Sequence, residues 1–354
     1  MTATALTRTD HAEIADIRTL RLAVGLALAF GLSQAIGWPA SFISAVLTSV
    51  LLALPTPGPT LKTCISFVLV MAVSLAVGIQ LLPLLHNQPG AGVVMTVLAM
   101  FWAFYFGARG GPPILAAFLL VGVTLIPVAG SESIDVALVL LWALAINAVA
   151  AFVFIWLAFA LFPDPPAQES AASTPPIAPR PNADLARRSA LRSTLIVLPV
   201  LLWLLASSET SSYAIVLLKI ATLGQQSSLE KTSSAANDLL LSTIVGGIAA
   251  IIIWNALKIW PNLFIFSLLF LLCGLFMGRR IFAGAGLAPR GSMWSYGLLT
   301  TIIIIVPATM DTAGGDAAGG RFADRIVMFL LATLYAVAAA YVFDRFWPGK
   351  ARAD

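Results

Sequence analysis

Charge is scarce in this chain. Only 10% of its 354 residues are Asp, Glu, Lys or Arg, where an ordinary soluble domain carries about 25%. A water-facing globular protein is excluded on that ground. Cysteine is scarcer still. Cys64 and Cys273 lie far apart, in or beside apolar runs, which excludes a disulfide framework and a CxxC metal site. The two histidines, His11 and His86, fall in a tail and a loop with no second ligand near them in sequence. There is no HExxH, GxSxG or GxxxxGK[ST] pattern, and no pair of acids within the apolar runs. Neither an enzyme nor an ATP-driven pump is expected, and no cofactor, metal or nucleic-acid partner. Proton coupling needs a carboxylate on the path, and only Glu209, Glu230 and Asp238 come near helix ends.

What is abundant is apolar sequence, at 60% of residues. Several runs reach the roughly 18 residues that a membrane-spanning helix needs. They are continuous rather than alternating, which argues against a β-barrel. The tail before the first run carries Asp10, Glu13 and Asp16, so it lacks the basic character of a signal peptide and the first run reads as a retained helix. Helices are expected near 20–36, 40–54, 63–82, 91–106, 113–130 and 136–162, then near 190–206, 213–224, 234–257, 261–278, 293–309 and 324–347. Between the two sets, residues 163–188 are rich in Pro, Ala and Ser and read as a flexible linker.

The two sets correspond. Arg21 opens the first helix of one and Arg192 that of the other; Lys62 pairs with Lys231, Arg109 with Arg279 and Pro127 with Pro307. Phe162–Pro163 closes one set and Trp347–Pro348 the other. The expected fold is therefore an all-α polytopic membrane protein of about twelve transmembrane helices. It is organised as two parallel six-helix repeats, 1–162 and 189–354, with a cytoplasmic linker at 163–188. With the N-terminus inside, 16 of the 20 Lys and Arg fall on the inner side, as the positive-inside rule asks. Lys258, Arg321 and Arg325 fall outside, and Lys219 lies within a span.

Two stretches stand out. The run Tyr213–Gly224 contains Lys219 and leads into Gln225, Gln226, Ser227 and Ser228. At about 12 residues it makes roughly 18 Å of helix, against a hydrocarbon core of about 30 Å. Lys219 sits in its middle, where a lone charge costs about 2.5–3.5 kcal/mol on insertion scales. In the first half, the run Ala40–Leu54 also stops short, in PTPGPTLK. Short, Pro- or Gly-broken segments at matching places in two halves point to a transporter's binding site. The candidate substrate-binding residues are Lys219, Gln225, Gln226, Lys62, Lys231, Arg21 and Arg192. The GxxxG patterns Gly107–Gly111 and Gly274–Gly278 read as helix-packing features.

The stretch RTLRLAVGLALAFGLSQAIGWPASFISAVLTSVLLALPTPGPTLK (18–62) resembles the start of the fusaric-acid-resistance and aromatic-acid-exporter family of inner-membrane proteins. LLKIATLGQQSSLEK (217–231) and the glycine pair at 246–247 resemble a short bacterial branch of that group, known mainly as a domain of unknown function. The resemblance implies a six-helix bundle used twice and efflux of small organic anions such as aromatic carboxylic acids. It also implies a bacterial inner membrane and a periplasmic membrane-fusion adaptor as partner, and the Lys and Arg count puts both termini on the cytoplasmic side. Larger exporters of this kind carry a sizeable cytoplasmic domain where this chain has only the linker. A second copy of the chain is a further candidate partner. The alternative expectation is a non-transporting membrane subunit of an adaptor-containing export complex.

Overall fold

A computed structural model describes residues 8–38, 40–111, 113–164, 182–206, 232–284, 286–310 and 317–346. Among these residues the ordered elements are helices: α1 (Arg8–Ile36), α2 (Phe42–Leu52), α3 (Leu61–Asn87), α4 (Pro89–Ala108), α5 (Pro113–Glu132), α6 (Ile134–Leu161), α7 (Ala183–Ala206), α8 (Thr232–Ile259), α9 (Leu263–Ile281), α10 (Gly291–Met310) and α11 (Ala317–Phe346). Eight of them, α1, α3, α4, α6, α7, α8, α9 and α11, are long and apolar enough to cross a membrane. The chain is a multi-pass helical membrane protein. The expected helix at 213–224 lies outside the described residues.

Several boundaries differ from expectation, three of them for physical reasons. Helix α1 begins at Arg8 rather than near 20, because the polar segment before the apolar run is itself helical and buries Ala15. Helix α3 runs through Pro83 to Asn87. A proline inside a membrane helix is tolerated, because neighbouring groups can satisfy the carbonyl it frees. Helix α7 begins at Ala183, inside the expected linker, after Asn182 Oδ1 accepts the Asp184 N–H at 3.4 Å.

The described chain forms two compact units, and neither coincides with a half of the sequence. One contains 1–66, 143–178 and 241–326; the other contains 67–142, 179–240 and 327–354. In the first unit α1 packs on α9 and α2, and α9 on α10. In the second, α7 packs on α4, and α4 on α5.

The α1–α9 pairing is antiparallel and close. A methyl added at Gly274 would lie 2.8 Å from Ala23 Cα, and one at Gly278 would lie 3.0 Å from Thr19 Cγ2. Further along, Phe30 stacks on Phe270 at 4.1 Å and meets Phe266 edge-on at 5.2 Å. Small residues four apart let the backbones approach, so Gly274 and Gly278 do the packing work expected of them. Gly107–Gly111 does something else. Gly110 takes φ 85, its N–H donates to Gly107 O, and Gly111 N–H donates to Phe106 O at 3.1 Å. That is a Schellman cap, and it ends α4.

In the second unit, Met100, Ala103 and Phe104 of α4 share a core with Ile196, Val197, Leu201 and Leu204 of α7. Tyr335 Oη donates to Ile196 O at 3.0 Å, tying α11 to α7. Helices α3 and α5 cross there at Gly78 and Gly122, where a methyl on either would strike the other helix's backbone.

In the first unit α8 and α10 also meet at a glycine. A methyl on Gly246 would lie 2.6 Å from Gly297 O and 2.7 Å from Thr300 Cβ. Thr301 Oγ1 donates to Gly246 O at 3.1 Å across the same crossing. The adjacent Gly247 faces nothing within 4 Å. Opposite outcomes are expected for neighbouring substitutions. Gly246→Ala should lose about 1–2 kcal/mol through overpacking. Gly247→Ala should gain up to about 1 kcal/mol from helix propensity. Thermal unfolding of the two variants in detergent checks the pair.

Candidate functional site

Helix α2 has 11 residues, about 16 Å of length, and is too short to span a bilayer. This is the short segment expected between 40 and 54. Its first turn lacks a cap of its own: Ser41, at the N-cap, makes no side-chain cap bond. The acceptor comes from α6 instead. Asn147 Oδ1 accepts the Ser44 N–H at 3.1 Å and the Trp38 Nε1–H at 2.9 Å. Asn147 Nδ2 donates to Ala143 O at 2.7 Å. One buried amide thus fixes the elbow between α1 and α2, where Gly37 and Ala40 both take positive φ. Below it Ser44, Thr48 and Ser49 are buried, each hydroxyl donating to a carbonyl within its own helix.

At the other end of α2 the chain leaves the helix through Pro55–Thr60 and crosses the last turns of α6. Trp156 Nε1 donates to Pro59 O at 2.7 Å. A methyl on Gly58 would lie 3.2 Å from the Phe159 ring. Thr60 Oγ1 then accepts the Thr63 N–H at 3.2 Å and caps α3. Lys62 stands exposed in that first turn. A cation there opposes the helix dipole, and together they make a locally positive end that suits an anion.

The same turns of α6 hold Arg21. Its Nε and Nη2 donate to Phe162 O at 3.0 and 2.7 Å, and Nη2 donates to Asp164 Oδ1 at 2.7 Å. The guanidinium lies 3.7 Å from the Phe159 ring centroid. Pro163 stops the helix and leaves late carbonyls without intrahelical partners; a forked cation at a helix C-terminus is a fitting partner for one. Arg21 is only 3% exposed and Arg192 only 6%. Of these two candidate substrate-binding residues, Arg21 clasps α1 to α6 and Arg192 is buried in α7. Lys219, Gln225, Gln226 and Lys231 lie outside the described residues.

Sequence reasoning missed Asn147, and with it the α6 face of Trp156 and Phe159. A signal existed for Asn147: it is the single amide in the run Ile134–Leu161, and a lone polar residue in such a run calls for a partner.

Residues 18–158 match the model of a family described as a protein of unknown function (DUF2955). The match runs from α1 almost to the end of α6, and the description assigns no activity. No curated protein and no solved structure matches the chain.

Proposed function

We propose that the protein is an inner-membrane efflux transporter for small organic anions, with aromatic carboxylates as the substrate class. The observation that carries this reading is Lys62. It is exposed on the N-terminal turn of α3, behind a short helix and a Pro-rich break whose path is fixed by Trp156 and Phe159. An exposed cation at the positive end of a helix is poorly placed for stability and well placed to meet a carboxylate. Lys231 takes the corresponding position in the second half, with Lys219, Gln225 and Gln226 preceding it. Arg21 and Arg192, which open the two halves, are buried beside this path.

Twelve helices in two repeats are part of this reading. The pairing of elements supports it. Helices α1 and α7 open the two halves, and each packs against the fourth helix of the other half, α9 and α4 respectively. The antiparallel α1–α9 contact puts Arg279 and Arg280 at the same end as Arg18 and Arg21, as cytoplasmic termini require. A periplasmic adaptor would then take the substrate onward.

The test is flux of labelled aromatic and aliphatic carboxylates from proteoliposomes, with and without a pH gradient. Saturable flux is expected for the wild type. Lys62→Gln and Lys219→Gln should each lower it at least about tenfold, the loss of one charge-assisted contact of 1.5–3 kcal/mol. Neither should lower the unfolding temperature. Unaltered flux in both variants would remove these lysines from the path. Absence of flux from well-folded wild type would favour the accessory-subunit alternative.

A further inference from the structure

A line of exposed apolar side chains runs along α9: Phe264, Leu268, Leu272 and Phe276, at 71, 38, 53 and 55% exposure. They recur every four residues, so each neighbours the next, and at 3.6 residues per turn the stripe winds about 120° round the helix from Phe264 to Phe276. The next position in the series is Arg280. Its guanidinium is held 4.6 Å from the Phe276 ring centroid and 4.5 Å from that of Trp294, in α10. The two rings meet edge-on at 6.0 Å. An apolar track that ends in a cation braced by two aromatic rings has the profile of the membrane interface.

Two more arginines sit at this end. Arg279 precedes Arg280, and Arg290 precedes the first residue of α10. The loop between them is pinned shut. Ala288 N–H donates to Ile281 O at 2.9 Å, and Gly291 N–H donates to Ala288 O at 2.8 Å. Gly291 passes so close that a methyl there would lie 2.7 Å from Ile281 O. Arg280 and Arg290 are the chain neighbours of Ile281 and Gly291, so their backbones lie at the same end of the α9–α10 elbow. All three arginines are exposed, and among the described residues none has a carboxylate within ion-pair distance. The N-terminus of α10 adds its positive dipole end to the same place.

We infer that the α9–α10 elbow binds an anionic phospholipid, its headgroup phosphate among Arg279, Arg280 and Arg290 and an acyl chain along Phe264, Leu268, Leu272 and Phe276. Charge complementarity selects the headgroup, and the apolar track selects a lipid over a free anion. This inference does not rest on the transport reading.

The experiment is native mass spectrometry of the full-length protein, titrated with dioleoyl phosphatidylglycerol or with the corresponding phosphatidylcholine. Wild type should bind the anionic lipid about tenfold more tightly than the zwitterionic one. The Arg279→Gln/Arg280→Gln/Arg290→Gln variant should lose that preference. A control triple, Arg180→Gln/Arg187→Gln/Arg188→Gln, removes the same charge elsewhere and should keep it. Arg280→Lys, which keeps the charge and loses the planar stack, should lose about threefold; it also serves as the readout if the triple variant does not elute as a folded species. Equal binding of both lipids by wild type would overturn the inference. So would equal loss in the control triple, or displacement of the lipid by millimolar inorganic phosphate.

Discussion

Arg21→Ala is expected to destabilise the protein by about 2–3 kcal/mol. Removing one partner of a buried ion pair costs about 3–5 kcal/mol. Here the value is discounted because the Asp164 side chain is 43% exposed while that of Arg21 is 4% exposed, and water can take over part of the carboxylate's needs. The Phe162 carbonyl loses both of its donors from Arg21, and the Phe159 face loses its cation. Arg21→Lys should cost about 1–2 kcal/mol, since a single ammonium cannot reproduce the fork. Asp164→Asn should cost less than about 1 kcal/mol. Thermal unfolding in detergent ranks the three. Flux separates the clasp from a substrate role. If Arg21 is structural, Arg21→Lys lowers the unfolding temperature and leaves the flux of the surviving protein intact. A changed substrate affinity at unchanged stability would return Arg21 to the anion path.

Arg21 also shows where the sequence stops being legible. The arginine and the Phe162–Pro163 stop are both visible in the chain, but 141 positions separate donor from acceptor. Nothing in either local pattern says that they meet. The charge reads as an interfacial anchor or a binding group until α1 and α6 are laid side by side. The short α2 was legible because its limits are local: Trp38–Pro39 precede it and Pro55 follows it. Pro83 is the opposite case. In water a proline usually ends or kinks a helix, whereas α3 carries it within a spanning helix. The two GxxxG patterns carry the same letters and have different uses. Gly274 and Gly278 sit inside α9 against α1, whereas Gly107–Gly111 spans a helix end, because Gly110 can take the left-handed conformation. Spacing alone does not distinguish a seam from a cap.

Asn147→Ala is expected to cost about 2 kcal/mol and to loosen the α1–α2 elbow. The change takes an acceptor from Trp38 Nε1–H and from Ser44 N–H; Ser44 N–H keeps a longer bond to Ser41 O at 3.3 Å, so the main loss is the unmet Trp38 donor, at about 1–3 kcal/mol. Asn147→Leu matches the amide in size and should do no better, since it fills the space without restoring the acceptor. Asn147→Asp keeps an oxygen at the N-terminus of α2, where a negative charge is favoured, and should recover part of the loss. The tighter test is a double-mutant cycle. Trp38→Phe removes one of the two donors together with its demand, so Asn147→Ala should cost less in that background than in wild type. A coupling of about 1 kcal/mol is expected for groups in direct contact. Strict additivity would mean that the amide does not hold Trp38, and that the elbow is set by packing alone. With the coupling present, the half-length α2 is held at its N-terminus by one side chain of α6. Its C-terminal exit is held by two more, Trp156 and Phe159, from the same helix. Lys62 then takes its position from α6.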